Sequence, residues 1–142
     1  MLEALACLAT AIYFEARGEP TVGQIAVGQV IMSRVADYRY PSTVCEVVKE
    51  GYYYSWNTDI PIPNQCQFSF YCDGKPETIQ DKEAYLWAEE IASGLLYGEL
   101  NYIDLTEGST HYHASYVSPR WRKDIGMQLV GRIGAHIFYR WE

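Results

Sequence analysis

The chain has 142 residues, of which 49% are hydrophobic and 20% charged. This size and composition argue against disorder and predict a single domain over residues 1–142. The net charge of −7 argues against a nucleic-acid partner, because a phosphate backbone is bound through clustered Lys and Arg. Aromatic residues make up 15% of the chain, more than a core of this size requires, and they predict a groove lined by rings that stack on sugars.

The sequence also limits where the protein acts. No apolar run is long enough to cross a bilayer, so we expect no stable membrane insertion. The apolar stretch near the N-terminus is not preceded by a basic segment, and no signal peptide is predicted. We expect a monomer that needs no cofactor.

The first predicted helix carries apolar residues at a spacing of three and four, as expected for an amphipathic helix. These residues are Leu2, Leu5, Ala6, Leu8, Ala9, Ile12 and Tyr13. Gly18 and Pro20 end the helix, which leaves Glu15 in its last turn. The negative end of the helix dipole and desolvation by Tyr13 or Phe14 predict a raised pKa for Glu15, as a general acid requires. The alternative is a surface glutamate paired with Arg17.

Further helices are predicted along the chain. The second begins after Pro20 and runs for about fifteen residues. Ser42 or Thr43 caps a short helix that stops by Gly51. The third covers residues 78–97, with Thr78 as its cap and Trp87 among the residues on or beside its inner face.

The remaining segments are predicted from their turn and strand signals. Residues 52–75 contain prolines and turn-forming residues that exclude long regular elements, apart from a short strand at 67–71. Residues 109–114 have strand propensity, and 129–139 form a closing hairpin with glycine at its turn. Helices followed by strands predict an α+β domain.

Four cysteines, Cys7, Cys45, Cys66 and Cys72, permit three pairings if all are bridged. Cys7 lies in the apolar stripe of the first helix, which favours a buried thiol. Cys66 and Cys72 flank a turn and could bridge each other or Cys45. No cysteine spacing matches a zinc site, and the close pair His111 and His113 leaves only a two-histidine metal site to consider, so we expect no metal.

Four blocks of the sequence together resemble the SleB/CwlJ family of cell-wall hydrolases. They are IYFEARGEP (12–20) with GQIAVGQVIMSRV (23–35), CQFSF (66–70), GSTHYH (108–113) and IGAHIFY (133–139). The resemblance implies a fold similar to lytic transglycosylases and resuscitation-promoting factors, in the lysozyme-like group. It also implies that the first Glu of the Glu-Ala-Arg-Gly-Glu block, here Glu15, is the key catalytic residue.

The implied reaction is cleavage of peptidoglycan between N-acetylmuramic acid and N-acetylglucosamine. A lytic transglycosylase would use Glu15 as acid and then as base. The alternative, a hydrolytic muramidase, needs a second carboxylate. Glu19, Asp73, Asp104 and Glu107 are the candidates, although a capping or surface role is favoured for Glu19.

The same resemblance and the residue types suggest substrate-binding groups. Gln67, Phe68 and Ser69 are expected to line the glycan groove, although strand alternation would place Phe68 and Phe70 in the core. Trp121 either stacks on a sugar or packs under the last hairpin. Arg17 is expected to hold a carboxylate of the peptide stem or Glu19. The other candidates by resemblance are Thr110, His111 and Tyr112, with His136 as a structural hydrogen-bond partner.

Two other functions compete with glycan cleavage. A non-catalytic peptidoglycan-binding module would keep the aromatic groove, and a metal-dependent amidase would use His111, His113 and a carboxylate. The expected setting is a phage endolysin or virion-borne lysin that reaches the periplasm of a Gram-negative host. Its expected substrate carries ordinary N-acetylmuramic acid.

Overall fold

The computed structural model describes residues 2–142, without the side chain of Leu2, which therefore lies outside the described part of the predicted stripe. Over these residues the helices are α1 (Leu2–Ala16), α2 (Thr21–Ala36), α3 (Val44–Val48) and α4 (Lys82–Tyr97). The strands are β1 (Gly51–Tyr54), β2 (Asn57–Cys66), β3 (His111–Ala114), β4 (Met127–Ile133) and β5 (His136–Trp141). Three short 3-10 helices cover Ser69–Tyr71, Glu99–Tyr102 and Arg120–Lys123. No helix in the described part of the chain is long and apolar enough to span a membrane.

The break between α1 and α2 is formed by local sequence. Gly18 adopts a φ of +90°, which is accessible to glycine without strain, and the Glu19 amide donates to the Ala16 carbonyl at 3.0 Å. Pro20 then precedes α2, where its missing amide costs no helical hydrogen bond. The predicted helix end is confirmed, and it fixes Glu15 in the last turn of α1.

The main apolar core lies between α1, α2, α3 and α4. α2 approaches α4 closely at Gly28, where an added Cβ would lie 2.4 Å from Leu95 Cδ1 and 3.1 Å from Ile12 Cδ1. A second cluster, which includes Ala26, Val30 and Phe138, joins α2 to the C-terminal sheet. Tyr112, whose hydroxyl contacts Glu15, packs against both clusters and is held in position by both.

The prediction of an irregular segment over residues 52–75 is wrong for its first part, since β1 and β2 form an antiparallel hairpin. Pro61 and Pro63 lie in β2. Each strand of a two-stranded ribbon has an edge without a partner, and proline is tolerated there. The strand predicted at 67–71 is also wrong, because Ser69–Tyr71 is a 3-10 helix.

The start of α4 differs from the prediction. The helix begins at Lys82, and the cap is Asp81, whose Oδ1 accepts from the Ala84 amide at 3.0 Å. Trp87, predicted on or beside the inner face, is 44% exposed. For the short helix α3 the capping prediction is confirmed, with Thr43 Oγ1 accepting from the Glu46 amide at 3.2 Å.

Both cysteine pairs are bridged. Cys7 is joined to Cys45, so the prediction of a buried free thiol at Cys7 is wrong. A stripe of apolar residues does not distinguish a thiol from half of a disulfide, because both are apolar. Cys66 and Cys72 bridge each other, one of the two pairings that their spacing allowed.

The C-terminal sheet has the order β3-β5-β4 and is antiparallel throughout. The predicted hairpin is confirmed as β4 and β5, with Gly134 at the turn in a left-handed conformation of φ +58°. β3 pairs with β5 so that Tyr112 lies opposite Phe138. Helices followed by this sheet give the predicted α+β architecture.

Candidate active site

A cavity of about 190 Å³ opens where the end of α1, the middle of α2 and strand β3 meet. It is smaller than the 300–1,000 Å³ of typical small-molecule pockets, so a polymeric ligand would continue over the surface. Its lining residues are Glu15, Val30, Arg34, Gln67, Phe68, His111, Tyr112, His113, Val117, Pro119 and Trp121.

Glu15 is the only carboxylate among the described residues that line this cavity. Burial raises its pKa above the ordinary 4.5, because desolvation disfavours the charged form, and a hydrogen bond from Tyr112 opposes this effect. Arg34 also lines the cavity, but its ion pair is with Glu50 at 3.6 Å. Glu15 therefore has a raised pKa, which favours its protonated form, and it lines an open cavity that a ligand could enter.

Tyr112 orients the carboxyl group of Glu15. Its hydroxyl donates to Glu15 Oε1 at 2.5 Å, which leaves Oε2 outside this hydrogen bond. Burial and the neighbouring Glu15 raise the pKa of Tyr112 well above its usual value, so it stays a proton donor. Its ring packs edge-on against His136 at 5.0 Å and lies 5.7 Å from Phe138.

His111 is a neutral polar group on the cavity wall. Burial, followed by the charges of Arg34 and Arg39, lowers its pKa to about 4. Its Nδ1 lies 2.9 Å from Thr110 Oγ1, which also accepts from the Trp141 amide at 2.9 Å. The Thr110 hydroxyl thus contacts both the His111 imidazole and the Trp141 amide, and it fixes the imidazole on the side away from the cavity.

His113 has both ring nitrogens occupied. Nδ1 donates to the Ala114 carbonyl oxygen at 2.7 Å, and Nε2 faces the Tyr139 hydroxyl at 2.9 Å. A carbonyl oxygen only accepts, so the hydrogen lies on Nδ1 and Nε2 accepts from the tyrosine. A metal ligand needs a free nitrogen, and these contacts disfavour the amidase alternative.

Trp121 packs against the C-terminal sheet, one of the two roles expected for it, and its stacking on a sugar stays a prediction. It lines the cavity, and its ring also packs 5.2 Å from Tyr139 and 5.6 Å from His113. The indole is held at its back by β3 and β5, which leaves its cavity side as a rigid apolar wall.

Arg34 is a cavity residue that the sequence analysis did not single out. It is 3% exposed, and its Nε donates to the Thr110 carbonyl at 2.7 Å. Its guanidinium also lies 5.9 Å from the Phe68 ring. Burial lowers its pKa below the usual value for arginine. Its contacts join α2 to Thr110, the residue before β3, and to Phe68. The available signal was its position one turn after Val30 on the apolar face of α2.

Of the other residues predicted to bind substrate, some line the cavity and others lie outside it. Gln67 and Phe68 line the cavity, whereas Ser69 begins the 3-10 helix beside it and Thr110 lies behind His111. Phe68 is 3% exposed, so it serves the core and the cavity wall at once. Arg17 is exposed and lies 4.5 Å over the Tyr13 ring, outside the cavity lining.

Glu19 binds the turn between β4 and β5. Its Oε1 accepts from the Ala135 amide at 2.7 Å and lies 3.5 Å from His136 Nδ1. An added Cβ on Gly134 would approach the same oxygen to 2.7 Å. These contacts agree with a capping role rather than with a second acid in the cavity. Burial lowers the pKa of His136, with Glu19 opposing the effect.

The chain matches the Cell Wall Hydrolase family over residues 18–139 and belongs to that family. The predicted resemblance to cell-wall-degrading enzymes is therefore confirmed. The matched region begins three residues after Glu15, so the argument for Glu15 depends on the cavity geometry described above.

Curated relatives include the spore cortex-lytic enzyme of Halalkalibacterium halodurans, 28% identical over 134 residues, with 92% of this chain and 33% of the relative covered. The spore cortex-lytic enzyme of Bacillus cereus is 27% identical over 132 residues, with 92% of this chain and 42% of the relative covered. The chain thus spans between 33% and 42% of the length of these relatives.

Two solved structures share the fold. The catalytic domain of the Bacillus cereus SleB protein superposes with a TM-score of 0.68 at 25% identity, over 99% of this chain and 91% of that one. The catalytic domain of the germination-specific lytic transglycosylase SleB from Bacillus anthracis gives a TM-score of 0.66 at 25% identity, over 96% of this chain and 93% of that one. This agreement confirms the predicted α+β fold.

Proposed function

We propose that the chain cleaves peptidoglycan glycan strands between N-acetylmuramic acid and N-acetylglucosamine as a lytic transglycosylase, with Glu15 as general acid and then general base. The observation that carries the proposal is Glu15 itself. It is a half-buried carboxyl with a raised pKa and a hydrogen bond from Tyr112, and no other carboxylate is among the described residues that line the cavity. The likeness to a structure described as a lytic transglycosylase supports the reaction class.

In the first step the proton on Glu15 Oε2 passes to the glycosidic oxygen. The bond to the anomeric carbon of muramic acid breaks, and positive charge develops at that carbon. The raised pKa favours the protonated form of Glu15 before this step, and Tyr112 then stabilises the carboxylate that forms.

In the second step the Glu15 carboxylate takes the proton of the 6-hydroxyl of the same sugar. The 6-oxygen attacks the anomeric carbon and closes a 1,6-anhydro ring. Proton and charge balance over the two steps, and Glu15 ends protonated as it began. A second carboxylate is not needed, whereas a hydrolase would use one to position water or to form a covalent intermediate.

The cavity walls suit an N-acetylated sugar. Phe68 and Trp121 present apolar surfaces that can pack on a sugar ring, and Gln67 offers an amide for its hydroxyl and acetamido groups. Neutral His111 adds a ring nitrogen on the same wall. This distribution of a few polar groups among apolar walls is typical of specific ligand sites.

Mass spectrometry of soluble products from purified Gram-negative sacculi tests the proposal, with Glu15→Gln run in parallel. Products ending in 1,6-anhydromuramic acid, absent with the variant, are expected. Reducing-end sugars would identify a hydrolytic muramidase instead. Binding without products from either protein would identify a non-catalytic peptidoglycan-binding module.

The biological setting is a separate part of the proposal. We propose a phage endolysin or virion-borne lysin that acts as a monomer on the wall in the periplasm, and membership of the Cell Wall Hydrolase family supports the wall as its target. Production of the chain with a secretion signal in a Gram-negative host should cause lysis. Intact cells that contain folded protein in the periplasm would contradict the lysin role.

A further inference from the structure

We propose that Arg120, Arg122 and Lys123, which we call the basic rim, dock the carboxylates of peptidoglycan stem peptides while the glycan occupies the cavity. This inference rests on the proposed function, because it assumes that peptidoglycan is the substrate. It assigns the peptide part of that substrate to a surface outside the cavity.

The basic rim is rigidly attached to the cavity. It belongs to the 3-10 helix Arg120–Lys123, and the residues Pro119 and Trp121 of the same segment line the cavity. The Trp121 ring is packed between His113 and Tyr139. A 3-10 helix has three residues per turn. With Trp121 directed to the cavity, Arg120 and Lys123 therefore share one side of the segment and Arg122 lies on another, each within two residues of Trp121 in the chain.

The rim is also an unusual concentration of positive charge in this chain. Three of its 11 Lys and Arg residues fall within four positions, although the net charge is −7. Within residues 2–142 no acidic side chain lies in ion-pair distance of these three. Other arginines, by contrast, have carboxylate partners: Arg34 with Glu50, Arg39 with Asp37 and Arg140 with Glu142. The rim charges are thus available to an external anion.

The chemistry of the substrate supplies such an anion. The stem peptide is attached through the lactyl group of muramic acid and carries free carboxylates, so a muramic acid in the cavity must project its peptide over an edge. On the other side, the Gln67 amide donates to the Glu50 carbonyl oxygen, and the groove beside Glu50 is lined by four acidic residues, Glu3, Glu46, Glu50 and Asp59, against one cation, Lys49. That edge would repel a carboxylate, whereas the basic rim attracts it. Charge complementarity of this kind favours one orientation of the strand over the other.

Binding of a carboxyl-bearing polymer gives the rim a measurable signature. Each exposed contact is weak and is screened by salt, with a Debye length of about 8 Å at 0.15 M. Together the three charges should strengthen binding about tenfold at low salt, by the sum of ordinary exposed ion pairs. The effect should shrink towards physiological and higher salt.

Co-sedimentation with sacculi tests the rim independently of cleavage. The triple variant Arg120→Gln, Arg122→Gln and Lys123→Gln is made in the Glu15→Gln background and compared with Glu15→Gln alone. The matched control replaces Lys75, Lys82 and Arg132, which are exposed and line neither the cavity nor the acidic groove, with Gln in the same background. Both triples change the net charge by the same amount. Native sacculi are compared with sacculi whose carboxylates have been converted to neutral amides by carbodiimide coupling.

The expected result is about tenfold weaker binding of the rim triple to native sacculi at low salt, with the control triple unchanged. On amidated sacculi the two triples should bind alike. Equal weakening by both triples would overturn the proposal in favour of a net-charge effect. A rim loss that persists on amidated sacculi would overturn it as well. Failure of the proposed function would show instead as the absence of anhydro products from the unmodified protein, whichever way the binding comparison falls.

Discussion

Two carboxylates lie four residues apart on either side of the turn that ends α1. Glu15 faces a cavity, where burial raises its pKa and one hydroxyl, that of Tyr112, donates to it. Glu19 faces the β4–β5 turn, where its Oε1 accepts from the Ala135 amide and lies near His136. Glu15 thus lies at an open cavity and has a raised pKa, whereas Glu19 is occupied as a hydrogen-bond acceptor.

This difference shows how one short sequence can place one carboxylate at a candidate active site and another in a structural hydrogen bond. The chain direction changes at Gly18, so the two side chains leave a common helical face. Their surroundings then determine their roles, as with other carboxylate pairs that divide acid and acceptor tasks. The two carboxylates are also connected indirectly, since Glu19 Oε1 lies 3.5 Å from His136 Nδ1 and the ring of His136 packs on Tyr112.

Of the substitutions at or near these two carboxylates, Glu15→Gln should have the largest effect on activity. Glu15→Gln removes the proton donor but keeps the size of the side chain and an oxygen for Tyr112. We expect the rate of product release from sacculi to fall by about 10²–10⁴-fold, the usual contribution of a positioned acid or base. Mass spectrometry of released muropeptides measures it, with circular dichroism as the check on folding. Activity within tenfold of the unmodified protein would remove Glu15 from the mechanism.

Removal of the Tyr112 hydroxyl should have the next largest effect. Tyr112→Phe deletes the hydrogen bond that lowers the pKa of Glu15, so this pKa should rise further. The turnover rate should fall by roughly 10- to 100-fold, because a hydrogen bond to a carboxylate is lost. Since Glu15 acts first in its protonated form, the loss of activity at high pH should move to still higher pH. A lower rate with an unchanged pH profile would mean that Tyr112 acts only through the substrate.

The helix end that separates these two carboxylates was predictable because its causes are local. Gly18 and Pro20 act within one turn of the chain, and Thr43 caps α3 through a bond to a residue three positions away. The hairpin β1–β2 was not predictable in this way. Pro61 and Pro63 favour a break, and only the tertiary structure shows that β2 pairs with β1 in spite of them, with two register shifts along the pair.

The same distinction applies to the candidate site. Glu15 could be selected from its position at a helix end, and His111 and Tyr112 from the resemblance of their block. Arg34 could not, because its role depends on Thr110, 76 residues away. The place of Arg17 also depends on tertiary contacts, since its sequence position beside Glu15 does not show that it lies over Tyr13.

Substitution of Glu19 should act on stability and leave catalysis nearly unchanged. Glu19→Ala leaves the partly buried Ala135 amide without its acceptor, at a cost of about 1–3 kcal/mol. The melting temperature should fall by roughly 3–10 °C for a domain of this size. Glu19→Gln is the matched control, since its amide oxygen can still accept and should restore most of the loss. A more than tenfold drop in turnover, measured at a temperature where Glu19→Ala is folded, would instead assign Glu19 to the chemistry.

The smallest expected effect is a pH-dependent gain in stability from Glu15→Gln. The pKa of Glu15 is raised in the folded protein above the ordinary 4.5, so the folded state binds the proton more tightly than the unfolded state. Stability therefore decreases as pH rises from about 4.5 through the raised pKa, and the full cost is present above it. Glutamine does not titrate, so the variant avoids this cost.

The melting temperature of Glu15→Gln should thus exceed that of the unmodified protein at pH 7 and match it near pH 4. The Tyr112→Phe background provides a stricter test. The further rise in the pKa of Glu15 should make the ionised Glu15 carboxylate lower the free energy of unfolding more strongly at pH 7. Glu15→Gln should then gain more stability in the Tyr112→Phe background than alone. Equal melting temperatures at both pH values would mean that the ionised Glu15 does not destabilise the folded protein. Its pKa would then be raised only when substrate is bound.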